Sequence, residues 1–173
     1  MMIEGYSPYK QETREPHTPE EFSPFWCAAS IERGEVFLAV EHQYKSVLAG
    51  QWNGTLSVWL DPKGLNFEAV ISDEEVYEKV KSRLLTKLSL SYYPTRTLLS
   101  GIKGTDRQLR TILEGDLVEL SLTVRPLLLR SNVRVVEPVQ DLDFSNWSDE
   151  EPTLIAPALI TLESLSKERL LNV

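Results

Sequence analysis

The stretch Leu-Ser-Val-Trp-Leu-Asp-Pro-Lys-Gly-Leu-Asn-Phe-Glu-Ala-Val, residues 56–70, predicts an antiparallel β-hairpin. Apolar and polar residues alternate on both sides of its centre, which is the period of a half-buried strand. Asp61-Pro62-Lys63-Gly64 supplies Asp, Pro and Gly where a type I turn prefers them. This hairpin places the chain among proteins built largely from β-strands.

The segments around the hairpin predict further strands and one clear helix. Alternating or apolar runs predict strands at about 3–6, 35–42, 88–93, 118–124 and 132–136. Ser72-Asp73-Glu74-Glu75 resembles a capping box, and apolar residues recur every four positions as far as about Lys87. Thr18-Pro19-Glu20-Glu21 looks like the start of a short helix, and Pro94 is expected to end a strand. The order predicts an α+β domain on a mainly antiparallel sheet or barrel.

Length and charge limit the organisation and the partners. The 173 residues suit one domain, predicted at 1–139, followed by a C-terminal tail at 140–173 with a helix near 163–171. The tail holds seven acidic and two basic residues, and the whole chain carries a net charge of −8. An acidic chain is a poor nucleic-acid ligand, and no apolar run is long enough to predict a membrane span or a signal peptide. One cysteine and two histidines predict neither a disulfide nor a zinc site.

Three polar residues within predicted strands are candidates for hydrolytic chemistry. His42 ends an apolar run, Ser89 lies in Leu88-Ser89-Leu90-Ser91, and Glu119 lies in a strand whose same-parity neighbours include Ser121. A serine hydroxyl needs a base to remove its proton, histidine titrates near neutral pH, and a carboxylate fixes the imidazole. The three residues therefore predict a serine hydrolase, provided that the fold brings them together.

Each of these residues also has a purely structural interpretation. A histidine at a strand end is usually a hydrogen-bonded structural residue, a strand serine usually packs against its sheet, and Glu119 could face solvent. His17, among prolines and charges, is expected in an exposed loop. Cys27 beside Trp26 is expected to be a small buried hydrophobe, although a cysteine nucleophile is an alternative.

Several segments, in order, resemble the prohead maturation proteases of tailed bacteriophages, whose fold is similar to that of the herpesvirus assembly protease. Their spacing as a set is more specific than any one motif. The matching segments are Ile3-Glu4-Gly5-Tyr6, Glu41-His42-Gln43, Gly50, Asp61-Pro62-Lys63-Gly64-Leu65, Leu88-Ser89-Leu90-Ser91-Tyr92, and Leu117 to Thr123 with Pro126.

This resemblance implies an assemblin-like fold, a mainly antiparallel β-barrel of about seven strands flanked by helices. It implies a serine endopeptidase in which Ser89 is the nucleophile, His42 the general base and Glu119 the residue that orients His42. No metal or organic cofactor is implied. The implied substrates are segments of the phage scaffold and of the major capsid protein, with self-association of the chain as a further expectation. The implied location is the immature phage head in the host cytoplasm.

The chain departs from the family pattern beside the nucleophile. Ser91 stands where the family usually has glycine, and the residues that usually flank the histidine are replaced by Glu41 and Gln43. Ser91 is therefore a rival nucleophile. The same departure motivates an alternative function, a catalytically retired protease fold that serves as a structural or decoration protein of the virion. A small binding module unrelated to phage is a third interpretation. The acidic tail suits either packaging and autocleavage or docking to a partner.

Overall fold

The computed structural model describes residues 1–11 and 17–137, which form nine strands, two α-helices and one short 3₁₀-helix. The strands are β1 Met2–Pro8, β2 Glu20–Phe22, β3 Phe37–Val40, β4 Ala49–Gly50, β5 Leu56–Leu60, β6 Gly64–Val70, β7 Lys87–Gly101, β8 Gln108–Thr123 and β9 Asn132–Val135. The helices are α1 Ala28–Arg33, α2 Glu74–Lys81 and the 3₁₀-helix Gln51–Asn53. The predicted α+β class is confirmed. The predicted tail lies outside the described residues, and the predicted domain boundary stays a prediction.

The strands form two sheets. One has the order β5-β6-β1-β9, and the other has the order β2-β8-β3-β4 with β7 paired to β8. Five strand pairs are antiparallel, whereas β2 and β3 both run parallel to β8. Among the described residues neither sheet closes on itself, so a closed barrel of about seven strands is not confirmed. The two strands beyond the predicted number, β2 and β4, have three and two residues.

The predicted hairpin is confirmed. Strands β5 and β6 pair antiparallel, with Leu60 opposite Leu65, and the Asp61 N–H donates to the Gly64 carbonyl across the turn. The Asp61 carboxylate also accepts the backbone N–H groups of Lys63 and Gly64, at 2.7 and 2.8 Å. The side chain of Asp61 thus reinforces the turn that its position in the sequence predicts.

The predicted helix forms but is shorter than expected. Asp73 caps it by accepting the Val76 N–H at 3.0 Å, and Val76 and Val80 face the core. The helix ends at Lys81, because the N–H groups of Leu84 and Leu85 both turn back to the Lys79 carbonyl. This reversal lets the chain enter β7 at Lys87.

Two local predictions were wrong. Residues 20–22 form a strand and not the start of a helix, because they pair in parallel with residues 110–112 of β8. Strand β7 does not stop at Pro94 but continues to Gly101, with register shifts on both sides of Arg96. Pro94 lies opposite Gly115, where an added Cβ would lie 2.8 Å from the Tyr93 carbonyl oxygen. Glycine at 115 permits this close approach, and the irregular pairing accommodates the proline.

One continuous apolar core is formed by residues from both sheets and from α2. Its largest fully buried side chains include Phe67, Ile3, Leu38, Leu65, Ile71, Leu88, Ile112, Leu117, Leu120 and Leu122. Leu88 of β7 and Leu120 and Leu122 of β8 face this core, so their odd-numbered neighbours project from the opposite face. Within the described ranges, no helix combines the length and apolarity needed to cross a bilayer.

Candidate active site

The candidate site lies on one face of the second sheet, where β8 is flanked by β3 and β7. Glu119 of β8 lies opposite Ser91 of β7, and Ser121 lies opposite Ser89. Directly opposed residues of an antiparallel pair project from the same face, so these four polar side chains form one patch. Three of the four are nearly or fully buried, with exposures of 0% for Glu119 and Ser121 and 5% for Ser89.

His42 reaches this patch through a turn in an unusual backbone conformation. Strand β3 ends at Val40, and the next two residues, Glu41 and His42, have φ angles of 48° and 57°. Successive non-glycine residues in the left-handed region are sterically disfavoured, and they reverse the chain sharply here. The His42 N–H donates to Ser121 Oγ at 2.8 Å. This hydrogen bond attaches the turn to β8.

The imidazole of His42 lies beside the carboxylate of Glu119. His42 Nδ1 is 3.1 Å from Glu119 Oε2, and the histidine side chain is 42% exposed whereas that of Glu119 is fully buried. An ionised carboxylate only accepts hydrogen bonds, so the pairing selects the tautomer with the proton on Nδ1. Nε2 is then the basic nitrogen, as it is in a serine hydrolase. The structure therefore brings together the predicted base and the predicted carboxylate.

Ser91 joins this pair. Its hydroxyl donates to Glu119 Oε2 at 2.7 Å and lies 3.2 Å from His42 Nδ1. Both contacts lie on the Nδ1 side of the ring, the side that Glu119 already occupies. The position that departs from the family's glycine is therefore in direct contact with both other polar groups.

Ser89 is placed differently. It lies on the same face of β7 but two residues away, about 7 Å along the strand. Among residues 1–11 and 17–137 its hydroxyl makes no hydrogen bond to His42 or to Glu119. Catalytic hydrogen bonds are often long or absent before substrate binds, so this placement does not decide between the two serines.

Only one of the two carboxylate oxygens of Glu119 has a hydrogen-bond partner among the described residues. Oε2 contacts both His42 and Ser91, whereas Oε1 is buried and has no hydrogen-bond partner within the part of the chain that the structure describes. A buried carboxylate with one unpaired oxygen is costly, and a positive charge on the neighbouring imidazole offsets that cost. The carboxylate thus lies against the ring of the histidine that would take a proton from a nucleophile.

A cavity of about 470 Å³ opens beside the site and is lined by Tyr44, Leu90, Ser91, Tyr93 and Val118, among others. This volume falls within the range of small-ligand sites, and it is large enough for a side chain of a bound peptide. The lining is mainly apolar and aromatic near Ser91, and Glu20, Tyr92 and Arg110 line the cavity as well.

The remaining candidates do not contribute to this site. Cys27 is fully buried, and desolvation raises the pKa of its thiol to about 12, so it carries almost no thiolate at neutral pH. The prediction that Cys27 is a buried hydrophobe is confirmed, and its burial argues against the alternative of a cysteine nucleophile. His17 is exposed, as predicted. Within the described ranges no group of three or more His, Cys, Asp or Glu side chains is arranged to hold a metal ion.

Sequence reasoning missed two features near the site. Ser121 was noted only for sharing the parity of Glu119, which was the signal that it lies on the same face. The second feature is a buried cluster in which Glu20 accepts hydrogen bonds from Tyr92, at 2.5 Å, and from Arg110. Burial raises the pKa of Tyr92 to about 12, so its phenol remains a donor. No sequence pattern connects residues 20, 92 and 110, because the β2–β8 and β7–β8 pairings bring them together.

Comparison with known proteins identifies the family. A family model described as caudovirus prohead serine protease matches residues 1–143, which is most of the chain. No curated protein and no solved structure matches the chain. The matched range covers every segment on which the sequence resemblance rests, together with His42, Ser89 and Glu119. The chain therefore belongs to the caudovirus prohead serine protease family.

Proposed function

We propose that this protein is a serine endopeptidase that cleaves segments of the phage scaffold and capsid proteins during head maturation. It would act inside the immature head, in the host cytoplasm. Membership of the family supports the general activity. The observation that carries the proposal is the contact between His42 Nδ1 and the buried Glu119 carboxylate, on a sheet face that also holds Ser89, Ser91 and Ser121. The assemblin-like closed barrel that the resemblance implies stays a prediction.

We assign the nucleophile to Ser89, as the family motif implies. Ser89 Oγ would attack the scissile carbonyl carbon while His42 Nε2 takes the hydroxyl proton. His42 would then return that proton to the leaving amine, and the C–N bond would break to give an acyl-enzyme. A water molecule, deprotonated by His42, would release the acid product and regenerate Ser89. Glu119 would hold the ring and balance the charge of the imidazolium throughout.

The position of Ser91 supports this assignment indirectly. Its hydroxyl meets the imidazole at Nδ1, the nitrogen that faces Glu119. A nucleophile on that side would compete with the carboxylate for one nitrogen and leave Nε2 unused. Ser89 lies elsewhere on the same face and is free of the Glu119 contact. Ser91 is nevertheless the second candidate nucleophile, because it alone of the two serines contacts the His42–Glu119 pair and is the more exposed.

The second candidate function is a structural or decoration protein of the virion built on a retired protease fold. The hydrogen bond from Ser91 to Glu119 favours it, because a side chain replaces the family's glycine and shares the carboxylate with His42. The two functions differ in whether either serine can be acylated.

Covalent labelling with a fluorophosphonate tests the proposal without knowledge of the cleavage site. The full chain would be treated with the probe, digested with trypsin and analysed by tandem mass spectrometry. Ser89 and Ser91 fall on one peptide, residues 88–96, whose fragments distinguish the two serines. We expect labelling at Ser89, its loss in Ser89→Ala, and normal labelling in Ser100→Ala, an exposed serine farther along β7. Labelling confined to Ser91 would assign the nucleophile to Ser91 instead. No labelling of either serine would support the alternative function, a structural protein built on a retired protease fold.

Co-expression with the phage scaffold and major capsid protein tests the substrates. We expect defined cleavage products with the wild-type chain and intact proteins with Ser89→Ala. The same samples report whether residues 140–173 are removed, which distinguishes an autocleaved tail from a docking segment. Identical intact products from both chains, with stoichiometric copies in mature virions, would contradict the protease function.

A further inference from the structure

Three alternate side chains of β8 each bind a different part of the turn that carries His42. Glu119 contacts the His42 imidazole, Ser121 accepts the His42 backbone N–H at 2.8 Å, and Thr123 donates to Glu41 Oε2 at 2.9 Å. Residues at alternate positions of a strand project from the same face, so one strand aligns all three contacts. Two of the three act on the turn itself and not on the imidazole.

We propose that Ser121 and Thr123 are positioning residues that hold the Glu41–His42 turn so that the imidazole meets Glu119. This inference rests on the proposed function, because it assigns the two hydroxyls to the same active site. Both residues are almost inaccessible, with exposures of 0% for Ser121 and 2% for Thr123. Buried hydroxyls seek hydrogen-bond partners, and these two find theirs in the turn.

The turn needs such support because its backbone is disfavoured. Glu41 and His42 both have positive φ, a conformation that persists in non-glycine residues only when the surrounding structure imposes it. The Glu41 N–H donates to the Leu122 carbonyl, and the Glu41 carboxylate accepts the Val124 N–H through its second oxygen, each at 2.9 Å. The turn is thus attached to the end of β8 through the backbone and side chain of Glu41 and through the backbone of His42.

These contacts give a structural reason for Glu41, which replaces the residue that usually precedes the histidine in the family. A carboxylate at 41 can accept two hydrogen bonds at once, one from a side chain and one from the backbone. Thr123 and Glu41 therefore function as a pair in this chain. A loss of either contact would let the left-handed turn relax and would move the imidazole relative to Glu119.

The kinetics of fluorophosphonate labelling distinguish a residue that positions His42 from one that binds the probe. The inactivation rate at saturating fluorophosphonate depends on the His42–Glu119 geometry, whereas the half-saturating concentration reports probe binding. We expect Ser121→Ala to lower the saturating rate by about 10- to 100-fold, since small misplacements of a catalytic group have effects of this size. The half-saturating concentration should stay within about twofold of the wild-type value. Ser100→Ala, which changes an exposed serine of β7, should react normally.

Thr123 offers a matched pair of variants. Thr123→Val keeps the shape and removes the hydroxyl, whereas Thr123→Ser keeps the hydroxyl and removes the methyl group. We expect slow labelling in Thr123→Val and near-normal labelling in Thr123→Ser. If Thr123 only packed against the core, Thr123→Ser would be the more harmful change, because it buries less apolar surface than Thr123→Val. Labelling would then be slower in Thr123→Ser than in Thr123→Val.

Nuclear magnetic resonance measures the hydrogen bonds of the Glu41–His42 turn independently of catalysis. The chain has two histidines, so selective ¹⁵N-histidine labelling gives signals from His42 and from His17, which serves as an internal reference. In Ser121→Ala we expect an upfield shift of the His42 amide proton and faster exchange of the Nδ1 proton, with His17 unchanged. Unchanged His42 signals in Ser121→Ala and Thr123→Val would overturn the inference. If the wild-type chain cannot be labelled while the His42 signals respond as expected, the proposed function fails and the positioning role stands.

Discussion

The Ser91 hydroxyl donates a 2.7 Å hydrogen bond to Glu119 Oε2, the same oxygen that lies 3.1 Å from His42 Nδ1. Two donors thus share one oxygen of a buried carboxylate. Because a proton on Nδ1 must point at Glu119 for His42 to act as a base through Nε2, Ser91 competes with the imidazole for its orienting group. The side chain that replaces the family's glycine therefore shares the hydrogen-bond acceptor of His42.

Replacement of Ser91 by glycine should accelerate acylation of Ser89. Without the competing hydroxyl, Glu119 Oε2 is available to His42 alone, and a net hydrogen-bond energy of about 1 kcal/mol corresponds to a rate increase of roughly fivefold. Stability should fall by about 0.5–1 kcal/mol because glycine weakens a strand. Fluorophosphonate labelling rates and urea unfolding would measure the two effects. Ser91→Ala separates loss of the hydroxyl from loss of the side chain, and abolished labelling in both variants would make Ser91 the nucleophile.

Glu119→Gln should reduce activity strongly while leaving the fold intact. A neutral amide neither fixes the correct tautomer nor stabilises the imidazolium, and an equivalent change in a serine protease triad lowers kcat on the order of 10⁴-fold. The same change removes a buried charge whose Oε1 has no partner within the described ranges, so the free energy of unfolding should not fall. Labelling rate and chemical denaturation would be measured together. Glu68→Gln, at an exposed position of β6, is the control. A variant that loses stability in proportion to activity would contradict an orienting role.

The buried Glu20 cluster should contribute to stability more than to chemistry. Arg110 and Tyr92 both donate to the Glu20 carboxylate, and Glu20 is only 3% exposed. Arg110→Met removes a cationic partner of a buried charge, but the arginine side chain is 39% exposed. We therefore expect a loss of about 2–3 kcal/mol, below the range for a fully buried pair. Tyr92→Phe should cost about 1–2 kcal/mol, the usual effect of removing one hydrogen bond to a charged group.

Urea unfolding measures both losses, and fluorophosphonate labelling at a temperature where each variant is folded measures any effect on the site. Labelling rates should remain within about threefold of wild type, since a structural cluster contributes little to transition-state binding. A large loss of labelling with normal stability would place the cluster in the active site.

The elements predicted correctly are those whose signals are local. The hairpin at 56–70 follows from alternation and from an Asp-Pro-Lys-Gly turn. The helix start follows from the Ser-Asp-Glu-Glu signal at 72–75, although Asp73 and not Ser72 is the cap. The passage of β7 through Pro94 could not be predicted, because it depends on Gly115 of the partner strand. The strand at 20–22 could not be predicted either, because its pairing partner lies about 90 residues away at 110–112. Local propensity does not report such nonlocal pairing.

The contact between His42 and Glu119 was predictable from the sequence, but the arrangement of the serines around it was not. His42 and Glu119 were expected to meet, and they do. The sequence could not show that Ser91, and not Ser89, would contact them, because the two serines share one strand face and differ only in which β8 residue they oppose. The left-handed Glu41–His42 turn had no sequence signal, since glycine and asparagine are the residues that usually mark such conformations.

The stability of the β5–β6 hairpin should depend on pH through Asp61. The backbone N–H groups of Lys63 and Gly64 donate to its carboxylate and hold its pKa below the ordinary value of 3.8. A carboxyl whose pKa is lowered in the folded state stabilises that state fully above its unfolded-state pKa, and the contribution is lost as the pH falls through the folded-state pKa. Asp61→Asn should therefore lower the melting temperature at pH 7, and its deficit should disappear as the pH falls below about 4 and through the lowered pKa of Asp61.

Asp61→Ala separates charge from hydrogen bonding in the same experiment. Alanine has no acceptor for the Lys63 and Gly64 N–H groups, so its deficit should persist at low pH, where the protonated Asp61 of the wild type can still accept through its carbonyl oxygen. Thermal unfolding followed by circular dichroism across this pH range would compare the three chains. A deficit of Asp61→Asn that stays constant from pH 7 to pH 2 would show that the turn depends on the shape of the residue and not on its charge. The convergence of wild type and Asp61→Asn, with Asp61→Ala remaining below both, is the result that the two short hydrogen bonds predict.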